Sequence, residues 1–162
     1  MIHYSIGVRL AWEISSYEAS NKDSTFIEAD HIMIGILSME KILNQIRLNS
    51  EQEYEQLNIE KEKLYKILYS YKLDTLTLRR KLREMLPNGD GKPKDMIFHR
   101  SSSCKKMFGD AISLANNYIT IKHLFVAIIN RESSYFHRLL TDLNVNIDGL
   151  RSEIMFSFYT QN

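Results

Sequence analysis

Apolar residues recur along this chain at helical spacing. Ile6, Leu10, Ala11, Ile14 and Tyr17 fall at i, i+4, i+5, i+8 and i+11 behind Ser5, a residue type that caps helix starts. Cys104, Met107, Phe108, Ala111 and Ala115 form a second such face behind Ser101, and Ile147, Leu150, Ile154 and Phe158 form a closing stripe. No segment sustains period-2 alternation with β-branched residues, so the pattern predicts an all-α fold. The clearest break is Pro87-Asn88-Gly89-Asp90-Gly91-Lys92-Pro93, which holds both prolines of the chain and predicts a linker over about 87–98.

The two parts on either side of this linker resemble each other. Ile27…Asp30-His31-Ile32…Leu37 aligns with Ile119…Lys122-His123-Leu124…Ile129 at an offset of 92, and the stretch from Ser5 to Ala19 matches that from Ser101 to Ala115. Later in each half, Leu68-x-x-Tyr71-x-Leu73 matches Leu140-x-x-Leu143-x-Val145 at an offset of 72. Asn144 stands where a helix must end, and asparagine tolerates the left-handed conformation such ends use. Each half reads as four helices: a capped helix, a His-headed apolar helix, a short helix, a turn and a closing helix. The expected repeats are about 1–86 and about 99–159, together forming a single domain over 1–162.

The two offsets differ by 20 residues, so the first half carries an insertion, about 39–60. Met39, Ile42, Leu43 and Ile46 continue the stripe of the second helix, and Asn49-Ser50 makes a turn. Ser50-x-x-Glu53 is a capping box for a new helix seamed by Tyr54, Leu57, Leu64, Leu68 and Tyr71. Helices two and three are therefore expected to be longer by about ten residues each, roughly 15 Å. They would form a hairpin standing out from the first half, with Glu51, Glu53, Glu55, Glu60 and Glu62 on a solvated or partner-facing surface.

Charge narrows the function classes. Lys+Arg is 21 against 20 Asp+Glu, a net charge of +1, unlike the strongly basic surface of a dedicated nucleic-acid binder. Residues 72–106 hold 10 basic and 4 acidic groups, densest at Arg79-Arg80-Lys81 and Arg83. No aromatics interleave there, so this run reads as the solvated face of a helix that buries Leu78, Leu82 and Met85. A single cysteine excludes a disulfide framework, and no apolar run approaches the roughly 20 residues that span a bilayer. With no signal-peptide pattern at the N-terminus, a cytoplasmic location is expected.

Catalytic chemistry is not in view. Gly89-Asp90-Gly91-Lys92-Pro93 lacks the Ser or Thr that completes a phosphate-binding loop. The five histidines have no i, i+4 partner and no cysteine at metal spacing. His31 and His123 head apolar helices and read as structural, Cys104 reads as a small core residue, and the methionines on helical stripes read as core filler. The chain is expected to be no enzyme and to need no cofactor or metal.

The duplicated pattern resembles the Clp N-terminal domain, the double four-helix repeat at the front of Clp-type AAA+ unfoldases and disaggregases. The residues that carry the likeness are Ile27…Asp30-His31-Ile32…Leu37, its echo Ile119…His123-Leu124…Ile129, and the ending Leu139-Leu140-x-x-Leu143-Asn144-Val145. The resemblance implies a non-catalytic chaperone accessory domain that docks substrate polypeptides or adaptor proteins for ATP-dependent unfolding or proteolysis. It would partner an AAA+ ring if the chain is part of a longer one. A stand-alone helical adaptor is the alternative; membranes and nucleic acids are not expected partners.

The same resemblance implies binding residues. In some such domains an acidic side chain just before the helix-two histidine accepts the guanidinium of a phosphorylated arginine, beside a hydroxyl residue at a neighbouring helix start. Carried over, the candidates are Asp30 with Ser5 in the first half and Lys122 with Ser101 in the second. Lysine repels a guanidinium, so at most one such pocket is expected, in the first half.

Overall fold

A computed structural model of the chain describes residues 1–45 and 48–160. The elements run His3–Tyr4 (β1), Ile6–Asn21 (α1), Phe26–Ile27 (β2), Ala29–Leu37 (α2), Met39–Leu43 (α3), Glu51–Ser70 (α4) and Thr75–Met85 (α5). After the linker come His99–Arg100 (β3), Ser102–Leu114 (α6), Tyr118–Ile119 (β4), Ile121–Ile129 (α7), Tyr135–Asp142 (α8) and Ile147–Phe156 (α9). The fold is all-α, and its centre is made by α2 and α7. Every residue of α2 is buried, as is every residue of α7 except His123. A helix apolar all round is covered on every side, here by α1, α5, α6 and α9.

Local signals place most helix ends. Ser5, Ser50, Ser101 and Ser134 each cap a helix by accepting the amide three residues on, from Val8, Glu53, Cys104 and His137. Asn144 has φ +54°, and Lys72, 72 positions earlier, has φ +58°. The chain closes alike at both: Val145 N–H donates to Leu140 O and Leu73 N–H to Leu68 O, each at 3.0 Å.

Two very short parallel bridges run between the halves. β1 pairs with β4 (His3 opposite Tyr118, Tyr4 opposite Ile119) and β2 pairs with β3 (Phe26 opposite His99, Ile27 opposite Arg100). Two-residue strands leave no alternation to read, which is why the pattern did not predict them. Their ladders continue into the caps: Ser5 N–H donates to Ile119 O at 2.9 Å and Ser101 N–H to Ile27 O at 3.1 Å. The linker is strapped to the turn after α1, with Gly89 N–H on Lys22 O at 2.7 Å. A Cβ on Gly89 would lie 2.5 Å from Asp23 O, so only glycine allows that approach.

The insertion departs from expectation in its first part. The second helix is not lengthened; it stops at Leu37, and Met39–Leu43 forms a separate short helix. The break has a visible cause. Met39 N–H donates to the buried Tyr65 hydroxyl at 3.2 Å instead of continuing the helix, and that hydroxyl donates to Ile36 O at 2.8 Å. Ile46, counted on the same stripe, lies outside the described residues. The third helix is lengthened as expected, α4 running 20 residues against 8 in α8. Its first two turns are largely exposed, and from Leu57 onward it packs on α1, α7 and α9, burying Leu57, Lys61, Leu64, Tyr65 and Leu68. Tyr54, assigned to the seam, is exposed, as is Tyr17 of α1.

Candidate functional site

The candidate residues all sit at helix N-termini, where the first amides have no partner inside their own helix and favour negative charge. Glu60, from the middle of α4, serves two such ends at once. Its Oε1 accepts from the Ser5 hydroxyl at 2.6 Å and from Ile121 N–H at 2.7 Å, and its Oε2 accepts from Gly7 N–H at 3.2 Å. The heads of α1 and α7 therefore share one carboxylate. A Cβ on Gly7 would lie 2.8 Å from it, so glycine makes the close approach possible. Burial raises the Glu60 pKa, against the pull of its three donors and of Lys122.

Two further carboxylates of the first half reach the second. Glu28 accepts from the Ser101 hydroxyl at 2.6 Å, at the head of α6. Asp30 accepts from Tyr135 N–H at 3.0 Å and Phe136 N–H at 2.9 Å, at the head of α8. Asp30 is buried, and that burial raises its pKa. Lys122, its counterpart in the sequence, donates instead to the carbonyl and hydroxyl of Ser157, both at 3.0 Å, at the end of α9. A cation there suits the negative end of the helix.

The expected partnerships are thus exchanged. α1 and α2 run antiparallel, with Gly35 against the Ala11 backbone, so Ser5 and Asp30 lie at opposite ends of the pair. Ser5 meets the head of α7, beside Lys122, and Ser101 meets the head of α2, beside Asp30. Neither expected pair forms. Both Asp30 oxygens accept backbone amides of α8, and Asp30 also lines a cavity of about 310 Å³ with Glu28, His31, Arg131, Ser134 and Tyr135. The cavity at Asp30 is therefore built without Ser5, which is bonded to Glu60 instead.

His31 and His123 occupy the third position of α2 and α7. Each Nδ1 accepts the amide of the residue before its helix, Glu28 or Thr120, at 3.0 Å. The ring takes the place of the Glu or Gln of a capping box, and an accepting Nδ1 must be unprotonated. Burial lowers both histidines to about 4, and for His123 the neighbouring Lys122 adds to it. Burial also pushes the Cys104 thiol up to about 12, leaving it a poor nucleophile. In the basic run, Arg83 is spent on an ion pair with the buried Glu18, and Arg79 is half-buried.

A cleft of about 370 Å³ also opens between α1 and α6. Its walls are Tyr4, Val8, Arg9, Trp12 and Glu13 from the first half, with Arg100 and Phe108 from the second. Trp12 and Phe108 meet edge-to-face with centroids 6.2 Å apart, and Tyr4 meets Phe108 in the same way at 6.5 Å. Phe108 is buried in the core, as its helical stripe predicted, and Trp12, on no predicted stripe, is half-buried beside it. A signal was there: each aromatic lies seven residues after a cap serine, Trp12 after Ser5 and Phe108 after Ser101.

No protein-family model matches the chain, and no curated protein matches it by sequence. Among solved structures, it is similar to the N-terminal domain of the caseinolytic protease associated chaperone ClpD from Arabidopsis thaliana. The likeness has a TM-score of 0.57 at 16% identity and covers 98% of this chain and 96% of that one. The chain has a Clp N-terminal-like fold. Among the described residues, no helix is long and apolar enough to cross a membrane.

Proposed function

We propose that this domain is a non-catalytic docking module that presents polypeptides, as substrates or adaptors, to a Clp-type ATP-driven unfoldase. The observation that carries this is the aromatic cleft between α1 and α6. Glu28, Asp30 and Glu60 join the two halves at the helix heads, and Tyr4 is 41% exposed at the rim of an apolar hollow. An edge-to-face floor with one polar rim suits an apolar side chain on an extended segment. The likeness to a chaperone's N-terminal domain supports the same reading.

The chain's single tryptophan lines the cleft, so its fluorescence reports occupancy directly. Titration with a permanently unfolded polypeptide, such as reduced and carboxymethylated casein, is expected to give a saturable change. Tyr4→Ser should weaken it by about tenfold, as loss of an aromatic anchor does. Saturable binding that ignores Tyr4→Ser places docking elsewhere and overturns this assignment.

A further inference from the structure

The cleft is apolar in its floor but carries a cation that the apolar reading does not use. The Arg100 guanidinium lies 4.7 Å from the Phe108 ring centroid and 5.6 Å from that of Trp12. Among the described residues, no hydrogen bond or ion pair engages its side chain. The β2–β3 bridge fixes its backbone, with Arg100 in register with Ile27. Stacking uses the face of a guanidinium and leaves its in-plane N–H donors unspent.

The rest of the rim agrees in sign. Arg9 stands on the α1 side, and its one ion pair is a long, exposed contact of 3.4 Å to Glu53. Glu13 is the only acidic residue in the wall, against two arginines. Counting cap serine to cap serine, the position that holds Arg100 in the second half holds Tyr4 in the first, so this stacked cation has no twin.

We propose that the cleft selects polypeptide segments in which a carboxylate stands next to an aromatic side chain, with Arg100 as the carboxylate receptor. This rests on the docking function proposed above and names its ligand class. The aromatic ring enters the hollow formed by Tyr4, Trp12 and Phe108. The flanking Asp or Glu meets the guanidinium fork at the rim, where two parallel N–H donors match its two oxygens. Aromatic floor and partial burial strengthen that pairing over the same contact in open water.

The test uses blocked seven-residue peptides alike except at one position, Phe-Asp, Phe-Asn and Phe-Lys, titrated against the whole chain by Trp12 fluorescence and calorimetry. Phe-Asp is expected to bind about tenfold tighter than Phe-Asn, the effect of one charge-assisted contact, with Phe-Lys weakest. The gap should shrink as salt is raised and close in Arg100→Gln, while Arg100→Lys, which keeps the charge but not the fork, should fall between. Equal affinities for Phe-Asp and Phe-Asn overturn the carboxylate inference and leave docking intact. Arg100→Gln weakening all three peptides alike also overturns it, making the arginine a wall. If no peptide binds, the docking function falls with it.

Discussion

In the α1–α2 pair the cap is Ser5 and the third residue of the second helix is His31; in α6–α7 they are Ser101 and His123, in the same roles. The two pairs then part company in how they use charge. Glu28, Asp30 and Glu60 all come from the first half, and each accepts from a helix head of the second half, at α6, α8 and α7. Among the described residues, no carboxylate of the second half accepts from a helix head of the first, and Lys122 stays within its own half. Residues 1–71 hold 11 acidic groups against 7 basic, and three of those acids are spent on the joint rather than on solubility. Two similar halves can keep their local devices while one comes to supply the anions and the other the helix ends.

The sharpest way to break this comparison is at its tightest contact. Gly35 is buried, and a Cβ there would meet the Ala11 carbonyl at 2.5 Å and its Cα at 2.9 Å, both backbone atoms that cannot swing aside. Its counterpart, Ala127, is fully buried with its methyl in place. Gly35→Ala is expected to cost about 3 kcal/mol in urea unfolding, as overpacking against rigid neighbours does. Ala127→Gly should cost about 2 kcal/mol, the helix-propensity difference plus the loss of one buried methyl. Similar values for the two would mean the halves pack alike after all.

The charge asymmetry is tested at Glu60. Glu60→Ala leaves the Ser5 hydroxyl and the amides of Gly7 and Ile121 without their acceptor, a loss of about 2–3 kcal/mol. For a chain of this size that lowers the melting temperature by roughly 4–12 °C. Glu60→Gln keeps one acceptor oxygen and should lose about half as much. A melt unmoved by Glu60→Ala would return α4 to the role of a solvated ornament.

The histidines give the smallest and most symmetrical effect. Their folded-state pKa of about 4 lies below the ordinary 6.5, so the unfolded chain takes up their protons more readily. Their contribution is complete above pH 6.5 and is lost as pH falls from there towards 4. Between pH 7 and 5.5 this amounts to about 1 kcal/mol each, less for the more exposed His123. Asp30 and Glu60 act with the opposite sign. Their raised pKa values favour the folded state on acidification, so they do not drive acid unfolding. Gln at both histidine positions keeps the capping box without titrating. The double variant is therefore expected to flatten stability across that window, measured by urea unfolding at each pH.

Short-range chemistry was legible in the order of residues. Cap serines, the left-handed Asn144 and the apolar runs of α2 and α7 are decided by each residue's own backbone preference and by 3.6-residue periodicity, which act within a turn or two. Those determined an all-α chain and the places where most helices start and stop. Tertiary structure decided the rest. Glu60 looks like one more exposed acid on α4, and only the approach of two helix heads turns it inward. Ser38 stands within a helical stripe, and only Tyr65, 27 positions on, draws the Met39 amide away and ends α2. The partners of Ser5 and Asp30 were exchanged because antiparallel packing sets the two starts of a helix pair at opposite ends. Arg100 reads as one of ten bases in its segment until the β2–β3 bridge lays it on an aromatic floor. Periodicity tells which face of a helix is buried. It carries no information on what meets that face, because hydrogen-bond partners far apart in sequence are chosen by packing geometry alone.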